Sequence, residues 1–182
     1  MKNVCVCLAT GFEEIEAITI IDVLRRGDIP VTTTSMTGQK EVVGAHNITV
    51  IADMLFEEME PGGIEMIVLP GGMPGAKNLG EHTGLRNKIL DFHRNGQPLG
   101  AICAAPMVFG ELGILENKDA TCFPGFEKHL KGARFTGEAV TQAGNIVTGK
   151  GVGVAIPFAL KIVENLKGRE FADALKKRMV VP

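Results

Sequence analysis

The sequence has no excess charge, no basic run and no long apolar run, and each absence removes a class of function. Its 19 lysines and arginines stand against 21 aspartates and glutamates, so no strong field surrounds it and nucleic acid is not expected as a partner. Charges and glycines interrupt every apolar stretch before the roughly 18 residues that a membrane span needs, so no membrane contact is expected. The opening run is followed at once by Glu13, Glu14 and Glu16 and shows no small-residue cleavage pattern; it reads as a first strand, not a signal peptide. Cys5, Cys7, Cys103 and Cys122 form neither a dense disulfide framework nor a CxxC pair, which points to free thiols in the cytoplasm. His46, His82, His93 and His129 are scattered without ligand spacing, so no metal is expected, and solvated side chains are the simplest reading of all four. Gly71 to Lys77 lacks the spacing of a phosphate-binding loop, and Gly149 to Gly153 lacks the last glycine of a dinucleotide fingerprint, so no nucleotide or other cofactor is expected.

What is present alternates. Short β-branched or apolar runs at Val4 to Thr10, Val31 to Ser35, Met66 to Leu69, Pro98 to Ile102 and Ala120 to Phe123 read as strands. Helical patterns follow Glu13, run over Leu85 to Arg94 and Ala104 to Leu115, and close the chain at Val154 to Leu166 and Glu170 to Lys177. Glu41 to Ala52 reads as a small hairpin or an added edge strand, and a second hairpin centres on Gly144. At 182 residues one domain spanning residues 1–182 is expected. Its architecture is α/β: a flavodoxin-like, doubly wound, mostly parallel sheet with helices on both faces.

In such sheets ligands bind outside the carboxyl ends of the strands, where strand order reverses. Three features fall at such ends: Gly11 to Glu16, Gly71-Gly72 and Cys103. Cys103 passes from strand into helix with Ala104 and Ala105 behind it, the local grammar of a nucleophile elbow. Amides at the start of the next helix are expected to favour its thiolate. The bland alternative is a small buried hydrophobe. Glu16 projects into the arc of Ala17, Ile20, Ile21, Val23 and Leu24. A core-facing acid must find a partner or keep a proton, so Glu16 is a candidate donor to Cys103. Glu13 and Glu14 are explained as first-turn acids. The amides of Gly72 and Ala104 are candidate oxyanion donors, with Gly71 beside them. His129 is a further candidate for the pocket.

These residues resemble the ThiJ/PfpI superfamily, in particular the branch of the Parkinson-disease protein deglycase and its bacterial relatives. The similarity rests on Gly11 to Ala17, Ile67 to Gly72, Ala101 to Pro106 and Thr148 to Gly153, and runs nearly end to end. It implies a reactive Cys103, a hydrogen-bonded Glu16, amide donors at Gly72 and Ala104, no cofactor, and a homodimer. It also implies action on small reactive carbonyls such as methylglyoxal, or redox sensing and stress chaperone activity through cysteine oxidation. Three departures stand out. Ala104 replaces the histidine of peptidase-like relatives, which argues against a thiol hydrolase or amidotransferase. Gly151-Val152-Gly153 replaces the usual Gly-Pro-Gly, and no histidine occurs at Gly132 to Thr136, leaving His129 as a substitute.

Overall fold

The computed structural model describes residues 3–60 and 62–182. The chain opens with β1 (Asn3–Leu8) and α1 (Glu14–Arg26), then β2 (Val31–Ser35) and a hairpin of β3 (Glu41–Val43) and β4 (Thr49–Ile51). After β5 (Met54–Leu55) come β6 (Ile64–Leu69), α2 (Gly75–Glu81), α3 (Thr83–Arg94) and β7 (Leu99–Ile102). The second half holds α4 (Pro106–Glu111), β8 (Asp119–Ala120), β9 (Arg134–Phe135), β10 (Val140–Ala143), β11 (Ile146–Gly149), α5 (Ala155–Lys167) and α6 (Arg169–Arg178).

Seven strands form the central sheet in the order β10-β11-β7-β6-β1-β2-β5, with β10 antiparallel to β11 and every other pair parallel. The flavodoxin-like, doubly wound expectation therefore holds. β1 to β2 steps one way across the sheet and β6 to β7 the other, so right-handed crossovers put α1 and α3 on opposite faces. The reversal falls between β1 and β6. Both faces are covered, so the central strands are apolar on both sides: Val4 to Leu8, Met66 to Leu69 and Leu99 to Ile102 are all buried. Among the described residues no helix is long and apolar enough to cross a membrane.

α1 forms where its sequence signals it. The Glu13 side chain accepts the Glu16 amide at 2.7 Å, acids occupy the first turn, and Arg25 and Arg26 the last. Ala17, Ile20, Val23 and Leu24 are sealed against the sheet, each large side chain contributing about 1.5–3 kcal/mol.

Several elements differ from expectation. The helix after Cys103 begins at Pro106 and ends at Glu111 rather than spanning Ala104 to Leu115. Proline suits a first turn, and Gly113 at φ +74° turns the chain away. The strand expected at Ala120 to Phe123 stops at Ala120, because the Thr121 amide turns to Thr148 Oγ1 at 3.0 Å and the Phe123 amide to the Cys103 carbonyl at 2.8 Å. α2 was not anticipated. Its glycines are poor helix formers, but the Gly75 amide is held by the Gly11 carbonyl and the Ala76 amide by Gly72.

Glu14 is more than a first-turn acid. It is buried, and it accepts the His46 amide at 2.6 Å, the His46 ring Nδ1 at 2.8 Å and the Ile48 amide at 3.4 Å. The β3–β4 hairpin, a separate two-stranded sheet, is thereby latched to α1. Burial alone would push the Glu14 carboxyl up, but the bonds from His46 and Ile48 hold it below the ordinary 4.5; the bond to Glu14 in turn raises the His46 imidazole above 6.5. The carboxylate's contribution is present above pH 4.5 and lost as pH falls through its lowered value. The imidazolium's is present below pH 6.5 and lost as pH rises through its raised value. The latch is therefore tightest between those limits. Hydrogen exchange of the His46 and Ile48 amides, corrected for intrinsic rates, should be slowest there, and Glu14→Gln should flatten the profile without changing protection in β1.

Candidate active site

The elbow after β7 is tied at both ends. The Cys103 amide donates to the Gly149 carbonyl at 2.9 Å, and its own carbonyl accepts the Phe123 amide at 2.8 Å. Between those anchors Cys103 sits at φ +66°, a region that costs a non-glycine residue about 1–3 kcal/mol and is held only by an over-determined surrounding. Ala104 and Ala105 are buried beneath the turn, where larger side chains would push it out. The sulfur receives the amides of Gly72 and Ala104. Both expected donors thus reach the sulfur, where they favour its charged form.

Glu16 enters from α1, fully buried. Its Oε2 accepts the Gly71 amide at 2.8 Å. Oε1 is buried too and has no partner of standard geometry, and the carboxyl's remaining contact is a looser one with the Cys103 thiol. Gly71 makes this approach possible. A Cβ there would lie 2.5 Å from Cys103 Cβ and 2.8 Å from Glu16 Oε2, so no side chain fits. Gly72, at φ +88°, is packed so closely on the backbone of Gly11 to Glu13 that a Cβ would overlap it.

Burial dominates the electrostatics. It pushes the Glu16 carboxyl up to about 7 against the opposing bonds from Gly71 and Cys103. It also pushes the Cys103 thiol up to about 12, helped by the charge and hydrogen bond of Glu16 and opposed by the amides of Gly72 and Ala104. The expectation of a thiolate favoured by helix-start amides is corrected in direction, because desolvation and a neighbouring carboxylate outweigh two amides. The pair loses one proton near neutrality and the second only far above it.

His129 is not brought to the sulfur. Its ring lies 3.4 Å from Glu111 and beside Phe126, in a separate cleft with Met73, Lys77 and Arg86. The solvated reading of the histidines also needs revision. His82 caps α3 through Nδ1 at 3.0 Å from the Leu85 amide and packs edge-on against Phe56; His93 is partly buried, which lowers its basicity. Among the described residues, one set of metal-ligating side chains lies close together, Glu13, Glu14 and His46. Those groups are engaged with one another and with amides of α1 and the hairpin. Sequence reasoning missed Phe123 and Gly149, whose backbones hold the elbow. Gly149 lies within the Thr148 to Gly153 motif and Phe123 in no motif, but in both the role is carried by a peptide group, which no side chain signals.

Burial of Glu16 has a cost visible in stability. Its folded value lies above the ordinary 4.5, so the folded state keeps a proton that the unfolded chain releases, and stability falls as pH rises from 4.5 through about 7. A rise from 4.5 to about 7 corresponds to about 3 kcal/mol. Glu16→Gln should therefore stabilise the protein toward urea by up to about 3 kcal/mol at pH 8.5 and by little at pH 4; an equal gain at both would refute a proton-linked cause.

Comparison with known proteins places this geometry in context. Residues 2–165 match the DJ-1/PfpI family. Protein DJ-1 homolog B of Arabidopsis thaliana is 37% identical over 180 residues, covering 98% of this chain but 41% of the plant protein, so the chain spans less than half of that relative's length. The glutathione-independent glyoxalase DJR-1.2 of Caenorhabditis elegans is 31% identical over 91% of this chain and 88% of its own. Among solved structures, a cysteine-to-alanine mutant of a DJ-1 superfamily protein from Salmonella typhimurium superposes with a TM-score of 0.95 at 31% identity, covering both chains completely. On sequence and fold alike, the chain belongs to the DJ-1/PfpI family.

Proposed function

We propose that the protein converts small 2-oxoaldehydes, methylglyoxal among them, to 2-hydroxyacids through Cys103, with Glu16 as proton shuttle. The observation that carries this is a fully buried carboxyl, Glu16, set against the Cys103 thiol on an elbow at φ +66°; burial pushes that carboxyl up to about 7, a value matched to general base work at neutral pH. A relative named as a glutathione-independent glyoxalase supports the reaction class. As the sulfur attacks the aldehyde carbon, its proton passes to Glu16, and the amides of Gly72 and Ala104 stabilise the charge moving through the sulfur toward the oxygen. Glu16 then protonates that oxygen, giving a hemithioacetal. Again a carboxylate, it removes the proton on the former aldehyde carbon to give an enediolate and returns it to the adjacent carbon, while the hydroxyl proton moves from the first oxygen to the neighbouring one, leaving a 2-hydroxy thioester. Water cleaves the thioester, releasing the hydroxyacid and restoring the thiol. The cycle consumes one water and is redox-neutral overall.

This reading requires Glu16 ionised and the thiol protonated at the outset. Activity (kcat/KM) should rise with pH through about 7 and stay level beyond it, since the thiol ionises only far higher. Cys103→Ser should abolish lactate formation from methylglyoxal in a buffer without other thiols. Glu16→Gln should lower kcat by about 100-fold or more and remove the inflection. Unchanged turnover in either variant contradicts the proposal.

A second use of the same site is favoured by one observation: two amides already point at the sulfur, and they would hold the oxygens of a sulfinate. A solved relative from Toxoplasma gondii is described as oxidized. Under mild peroxide, mass spectrometry should find oxygen on Cys103 before Cys5, Cys7 or Cys122, all three fully buried; another thiol reacting first would end this reading and any sensing or chaperone role built on it. The four cysteines are free thiols, which suits a reducing compartment such as the cytoplasm. We also propose a homodimer. Ile15 and Ile18 on α1 and Ile48 on the hairpin are exposed beside the Glu14–His46 latch and offer an apolar face to a second copy.

A further inference from the structure

Beside the elbow lies an apolar groove that the reaction just described leaves unused. It opens off the carboxyl ends of the adjacent strands β7 and β11, with a volume near 270 Å3, and its lining includes Phe123, Pro124, Gly151, Val152, Val154 and Lys150. One lining residue, and the residue that precedes Lys150, are each one main-chain hydrogen bond from Cys103. The Phe123 amide donates to the Cys103 carbonyl, and Gly149, which leads directly into the groove, accepts the Cys103 amide.

Its central feature is Phe123, a phenylalanine left 45% exposed. The ring rests over Gly151, where a Cβ would come within 3.2 Å of it, so no side chain separates the ring from the groove floor. Phe126 supports it edge-on, with ring centroids 6.5 Å apart. The ring is therefore held on one side and free on the other, a disposition suited to stacking. The one charged residue of the lining, Lys150, is tied to the Gly137 carbonyl at 3.0 Å. No carboxylate lines the groove, so its chemistry selects a neutral apolar group rather than an ionic one. The volume lies just under the roughly 300 Å3 at which sites for drug-sized molecules begin, which suits a single ring better than an extended chain.

We propose that this groove is the side-group subsite of the Cys103 reaction, so that aryl-substituted 2-oxoaldehydes are preferred substrates over methylglyoxal. The inference rests on the carbonyl chemistry proposed above and specifies its substrate class. On this assignment a phenyl group attached to the dicarbonyl has the Phe123 face to stack on, whereas a methyl group has no ring to stack.

The test compares kcat/KM for phenylglyoxal and methylglyoxal in the full-length protein and in Phe123→Ala, Phe123→Leu and Cys103→Ala. The wild type should favour phenylglyoxal by about tenfold or more, chiefly through KM. Phe123→Ala should cut that ratio about tenfold by raising KM for phenylglyoxal, and Phe123→Leu should recover part of it. Both variants keep the amide that anchors the elbow. A ratio unmoved by Phe123→Ala, with Cys103→Ala inactive toward both aldehydes, overturns the subsite and leaves the carbonyl chemistry standing. Activity retained in Cys103→Ala, or absent in the wild type toward both aldehydes, overturns that chemistry and the subsite with it.

Discussion

The site depends on burying a carboxyl group against a thiol. Taken out of water, neither group ionises as it does in solution; the carboxyl makes ionisation of the thiol harder, whereas the thiol's hydrogen bond favours the carboxylate. The outcome, with Glu16 raised to about 7 and Cys103 to about 12, is a pair that gives up one proton near neutrality and keeps the other. A shared proton of this kind can move between sulfur and oxygen within a reaction step, which an exposed thiolate with no acid beside it cannot offer.

The fold supplies this pairing through topology. The reversal of strand order between β1 and β6 opens the crevice into which α1 delivers Glu16, and the next strand, β7, delivers Cys103 to the same end. Gly71, between them, has no room for even a methyl group, so the acid reaches the sulfur only because that residue lacks a side chain. The elbow keeps Cys103 in a left-handed conformation by anchoring its amide on β11 and its carbonyl on the loop that carries Phe123. The backbone strain is thus offset by hydrogen bonds from two segments distant in sequence.

Much of this was legible in the sequence. Cys103 stands out because small residues follow a buried strand, and Glu16 because an acid interrupts an apolar arc; the parallel sheet follows from short strands alternating with helices. The direction of the Cys103 shift was not legible, because it is set by the balance of burial, one carboxylate and two amides, and that balance depends on distances. Glu14 looked like an ordinary first-turn acid since its partner, His46, lies in a hairpin that local patterns do not dock anywhere. His129 seemed close in sequence but turns toward Glu111, while Phe123, without any motif of its own, borders the elbow. α2 escaped notice because tertiary bonds from Gly11 and Gly72 override the weak helical propensity of its glycines.

The central claim, that near neutral pH the carboxyl loses its proton while the thiol keeps its own, is tested most directly by following the Glu16 side-chain carbon by NMR in glutamate-labelled protein, with thiolate absorbance recorded on the same samples. The account predicts a carboxyl midpoint at about 7 with no thiolate signal from Cys103 until far higher pH. A midpoint near the ordinary 4.5, or a Cys103 thiolate appearing at neutrality while Glu16 stays protonated, would contradict it.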